Sequence, residues 1–96
     1  MINLLNVTVI DFSTSNECHC LEMVVINEFG KEFTIILNFH GDNLKSMKKL
    51  GYKSYKSFNI SILKFSQKII NKKISIQVYF LNNNYFFLNL INKIVE

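Results

Sequence analysis

The chain reads as a mainly β domain with one short helix, in the order β-β-β-α-β-β-β, folded as a small antiparallel sheet or barrel. Three observations predict this. Apolar and polar residues alternate with period two in several stretches, most clearly over 32–39, where Phe33, Ile35, Leu37 and Phe39 fall on one face. Asn27-Glu28-Phe29-Gly30-Lys31 separates two such stretches with a glycine able to turn the chain back as a hairpin. Only 42–50 combines apolar residues three apart with start and stop signals for a helix.

Taken in order, 3–12 is the first expected strand, with Asn6-Val7-Thr8-Val9 alternating inside an apolar stretch. The second, 20–28, contains a nearly continuous apolar run from Leu21 to Ile26, broken by Glu22. The third is 32–39. In the expected helix, Asp42 is the N-cap, Gly51 the C′ residue, and Leu44, Met47 and Leu50 the buried stripe opposite Lys45, Lys48 and Lys49. Phe58, Ile60 and Ile62 alternate with Asn59 and Ser61, and this β-branched content favours a strand over 57–66. Phe58, Ile62, Phe65 and Ile69 also fall at helical spacing, so the alternative is an α+β domain with a second helix at about 57–70. Ile74, Ile76, Val78 and Phe80 then mark a strand over 74–81. Asn82-Asn83-Asn84 turns the chain, and 85–90 returns as the last strand.

Ninety-six residues make one domain, 1–96. With 49% hydrophobic and 19% charged residues, the chain can bury a core and is too apolar to be disordered. It lacks Ala, Arg, Pro and Trp and is rich in Ile, Asn, Lys and Phe, the usage an AT-rich coding sequence imposes. The first lysine is Lys31, so the apolar start has no positive n-region of a secretory signal. The longest uncharged run, 74–92, carries Gln77 and five Asn, too polar for a membrane span. Cys18 and Cys20, two apart, suit neither a relaxed disulfide nor a stapled secreted scaffold. A cytoplasmic protein with free thiols and no membrane segment is the expectation.

Charge is segregated. Residues 1–42 carry six carboxylates and one lysine, a net of −5; residues 43–96 carry ten lysines and Glu96, a net of +9. Within 44–58, Lys45, Lys48, Lys49, Lys53 and Lys56 interleave with Tyr52, Tyr55 and Phe58, and Lys68, Lys72 and Lys73 extend the basic track. Cations for phosphates beside aromatic faces for bases are what single-stranded nucleic acid requires. A solvated helix face beside half-buried tyrosines is the plainer explanation of the same pattern, and cross-strand pairing of the acidic and basic halves would cancel much of the field.

Other clusters carry less. Cys18-His19-Cys20 with His40 offers metal donors, but a single residue between cysteines aims both sulfurs alike, which suits a zinc tetrahedron poorly. No metal and no cofactor are expected. His40-Gly41-Asp42 is the one tight group of titratable residues, and a strand-end histidine beside a capping aspartate needs no catalysis to explain it. There is no G-x-S-x-G, no P-loop, no paired-carboxylate signature and no thiol beside an evident base. The chain is expected not to be an enzyme, with no catalytic residues.

Three meandering strands over 3–12, 20–28 and 32–39, a helix over 42–50, then strands at 57–66 and 74–81, resemble the OB-fold, a five-stranded Greek-key barrel. The resemblance lies in element order and involves no diagnostic motif; it implies a module that often binds single-stranded nucleic acid. Two departures accompany it. A strand at 85–90 exceeds the five, and the face of strands 2 and 3 would carry Glu22, Glu28 and Glu32, which repel phosphate. A strand-binding site would therefore lie on the Lys-rich helix and around 68–73, off the face such modules use.

The functional expectation is a small non-enzymatic binder of single-stranded nucleic acid, with Lys45, Lys48, Lys49, Lys53 and Lys56 on phosphates and Tyr52 and Tyr55 stacking. The alternative is a protein–protein module, an inhibitor or adaptor of a nucleic-acid-processing enzyme, of the kind phages and plasmids encode. The surplus of large apolar residues also leaves room for a homodimer through an exposed sheet edge or face.

Overall fold

In the computed structural model, which describes residues 2–15, 20–38, 41–82 and 85–94, five strands and two helices follow one another. They are β1 (Ile2–Ser15), β2 (Cys20–Ile26), β3 (Glu32–Asn38), α1 (Gly41–Lys49), α2 (Phe58–Ile69), β4 (Lys73–Asn82) and β5 (Tyr85–Ile94). The strands close into a barrel in the order β1-β2-β3-β5-β4. The mainly β class therefore holds, with the second helix of the α+β alternative.

β1 is long enough to serve two neighbours. Its first half pairs antiparallel with β4 and its second half with β2, and Thr8 stands opposite both Lys73 and Ile26. The register slips between Val9 and Asp11, and such a bulge lets one strand bend around the barrel. Alternation then sorts the side chains: Val7, Val9, Leu21, Met23, Val25, Ile35, Leu37, Ile74, Ile76 and Val78 fill the interior, each 3% exposed or less. The β2–β3 turn forms as expected, with Gly30 at φ +82°, where a side chain would be strained. The Asn27 side-chain oxygen accepts from the amides of Phe29 and Lys31, both at 2.9 Å.

Closure depends on α1. β3 and β5 run parallel and pair over only three positions, Thr34↔Tyr85 to Ile36↔Phe87. Beyond them α1 takes over the hydrogen bonding. Asn43 accepts from the Asn38 amide through Oδ1 at 3.1 Å and donates through Nδ2 to the Leu88 carbonyl at 3.0 Å. One turn on, the Ser46 hydroxyl accepts from the Ile91 amide at 3.2 Å. A buried amide without an acceptor costs about 1–3 kcal/mol, so Ser46→Ala is expected to destabilise by that amount. Hydrogen exchange should show the Ile91 amide losing protection ahead of the β1–β2 ladder.

α1 spans one residue less at its end and one more at its start than the sequence suggests, so Asp42 lies in the first turn and is not the cap. Its end matches the expectation. Gly51 has φ +106°, its amide donates to Lys48 O at 3.1 Å, and the Tyr52 amide donates to Met47 O at 3.0 Å. That pair of bonds is the Schellman motif, which turns the residue after the glycine inward toward the last turn of the helix.

The strand expected at 57–66 is instead the first part of α2. Ser57 caps it in extended conformation and accepts from the Ile60 amide; the helix ends at Ile69 with Ile70 as its C-cap, and Asn71 follows at φ +68°. Ile62, Phe65 and Ile69 are 6%, 1% and 1% exposed, so the 3.6-residue stripe, and not the two-residue alternation, is the one that found a core. Phe65 packs edge-on against Phe12 of β1 and Tyr52, at 6.0 and 5.6 Å between ring centroids. With 57–66 helical, 85–94 completes five strands and exceeds nothing. No helix among the described residues is long and apolar enough to cross a membrane.

Candidate nucleic-acid interface

Asp11, Glu22 and Glu32 lie on strands and Asp42 in the first turn of α1, whereas Lys45, Lys48, Lys49, Lys64 and Lys68 lie on the two helices and Lys53 and Lys56 between them. No aligned pair in the barrel sets a carboxylate opposite a lysine: Asp11 faces Val24, Glu22 faces Ser13 and Ile36, Glu32 faces Ile26, and Lys73 faces Thr8. Cross-strand neutralisation is thus absent among the described pairs. Residues 43–73 contain nine lysines and no carboxylate.

The segment between the helices folds back onto α2 and gathers much of that charge. The Tyr55 amide donates to Ser61 Oγ at 2.7 Å, and that hydroxyl donates to Ser57 O at 3.0 Å. Lys68 Nζ donates to Gly51 O at 2.9 Å, tying the last turn of α2 to the end of α1. Lys64 Nζ stands 5.2 Å from the centroid of the Tyr55 ring. Lys45, Lys48 and Lys49 on α1, and Lys53 and Lys56 on the connection, are exposed. Lys48 also lines a groove of about 210 Å³ with Leu44, Tyr52, Ser54 and Phe58.

Three of the expected site residues are placed otherwise. Tyr52 is 7% exposed and belongs to the core, its ring against Phe65, so it offers no face for a base to stack on. The signal was present in the sequence: a large apolar residue just after a C′ glycine is the one a Schellman motif buries against the helix, here beside the fully buried Met47. Lys72 is half-buried, and its backbone is stitched to β1, its carbonyl accepting from the Val9 amide at 3.1 Å. Lys73 is exposed but lines a different cleft, with Asn6, Thr8, Asn27 and Glu28. The lysines on the helices and their connection are therefore Lys45, Lys48, Lys49, Lys53, Lys56 and Lys68, together with Lys64, which the sequence pattern does not mark.

Aromatic surface at this group comes from Tyr55, 43% exposed, and Phe58, 42% exposed. Phe58, in the first turn of α2, lines the groove with Lys48. Cys18, His19 and His40 lie outside the described residues, and no group of three or more metal-ligating side chains occurs among the described ones. The class that fold and site define is a small closed β-barrel whose helical end is basic and partly aromatic. Compared with known proteins, the chain matches no family model, no curated protein and no solved structure.

Tyr55 and Tyr52 separate in a simple experiment. Tyr55→Ala is expected to leave the urea midpoint nearly unchanged while weakening oligonucleotide binding by about 1–3 kcal/mol, the worth of one stacked base. Tyr52→Leu is expected to lower the midpoint and leave the binding of the folded protein intact.

Proposed function

We propose that the chain is a non-enzymatic, OB-like module that binds single-stranded nucleic acid along its helical end. The observation that carries this reading is the acid-free run 43–73, with Lys64 over the Tyr55 ring and Lys48 lining a groove with Phe58. Lysines neutralise phosphates with release of counterions, and half-exposed rings accept bases without regard to sequence. Five strands closed with a helix after the third support the likeness to OB modules. Glu22, Glu28 and Glu32 on β2, β3 and their turn turn phosphate away from that side, leaving the helices as the contact.

A protein-directed module is the second reading. It is favoured by Ile60 and Leu63, which project from α2 at 47% and 57% exposure, away from the core and beside Lys64. Fluorescence anisotropy with labelled single-stranded DNA and RNA at low and moderate salt distinguishes the two. The nucleic-acid reading expects affinity that falls linearly with salt on logarithmic axes. Flat curves at tens of micromolar protein overturn it and leave the protein-directed reading.

A further inference from the structure

The strand polarities bring four stretches to one end of the barrel: the start of β1, the β2–β3 turn, the end of β4 and the start of β5. The helices are at the other end, α1 leaving the end of β3 and α2 leading into the start of β4. At the first end five large apolar side chains are exposed: Leu4 (64%), Phe29 (85%), Tyr79 (41%), Phe80 (61%) and Leu81 (44%). Beneath them Phe80 meets Phe86 edge-on at 5.9 Å, and Phe86 meets Phe33 at 5.4 Å, so the mouth is floored with rings. Tyr55, Phe58, Ile60 and Leu63, exposed at the helical end, stand among lysines; these five do not. Glu28, Lys31 and Glu32 bring charge to this end, and Lys73 shares a cleft with Glu28.

We propose that this end is a homodimer contact, with a second copy of the chain docked on it end to end about a two-fold axis. Area is the first argument. The five residues expose on the order of 600 Å², at the top of the range for the largest apolar patch of a monomer. Two copies would remove about 1,200 Å², the lower bound of a standard stable interface. Charge is the second. Lys45, Lys48, Lys49, Lys53, Lys56, Lys64 and Lys68 lie on the helices and their connection, at the opposite end, so this contact keeps the two basic regions apart. Around the contact, Lys31 of one copy can meet Glu28 or Glu32 of the other, the self-complementarity that a two-fold interface requires.

The proposal is independent of the nucleic-acid reading, and sedimentation equilibrium without oligonucleotide tests it. Between about 10 and about 500 µM protein, the mass is expected to rise from 11.3 kDa toward two chains. Phe29→Asp and Leu4→Asp change exposed side chains and should each weaken the dimer at least tenfold, with an unaltered circular dichroism melt as the check on folding. Phe80→Ser serves the same purpose should either melt early. Leu63→Asp, at the helical end, should leave the mass unchanged. A monomer mass at every concentration overturns the proposal, as does a dimer lost in Leu63→Asp but kept in Phe29→Asp with Leu4→Asp.

Discussion

Phe65→Ala is expected to cost about 3–5 kcal/mol of folding free energy, a large share of what a domain this size has. Phe65 is 1% exposed and is the residue through which α2 holds the barrel, touching Phe12 on β1 and Tyr52 after α1. Removing the ring leaves a cavity where three elements meet, which the surrounding strands cannot close without breaking their ladders. Leu63→Ala, two residues earlier and 57% exposed, should change stability by less than about 0.5 kcal/mol. The pair also tests the element itself. In a strand, 63 and 65 would share a face and respond alike; in a helix they point about 200° apart. Urea denaturation of the two variants reads the difference directly, and equal costs would contradict a helix at 58–69.

The second large effect concerns binding. Lys48→Glu, Lys49→Glu and Lys53→Glu together are expected to weaken single-stranded oligonucleotide binding by ~100-fold or more at low salt, because three phosphate contacts become three repulsions. The slope of affinity against salt should shrink by about two for the loss of three contacts at ~0.7 each. All three side chains are exposed, so the folded barrel should be unaffected. Lys73→Glu is the control, since Lys73 lines the cleft beside Glu28 and lies apart from the helical group. Its effect should be several-fold smaller than that of any one of the three.

The barrel's strands were readable in the chain because half-buried strands write their pattern locally. Phe33, Ile35 and Leu37 need no knowledge of their neighbours to declare one face, and Gly30 and Gly51 declare their turns through a backbone angle other residues resist. The basic run 43–73 was equally plain, being a matter of composition. At 57–66 two periodicities overlapped, and nothing in the segment decides between them. Ile60 could have served an alternating face and Phe65 a helical one. The helix prevailed because Phe12, Tyr52 and the barrel interior present a pocket for Ile62, Phe65 and Ile69.

The candidate site divides along the same line. Which residues are lysine is sequence; that Tyr52 turns inward while Tyr55 and Phe58 stay at the surface follows from the Schellman turn and the fold-back of the connection onto Ser61. Likewise, Asn43 and Ser46 look like ordinary polar helix residues until they are seen completing a sheet that β3 and β5 leave unfinished. Local pattern could specify the strands, the first helix and the sign of each half. The second helix, the closure of the barrel and the choice of exposed rings had to wait for contacts between residues far apart in the chain, since burial is a property of the assembled core and no single segment carries it.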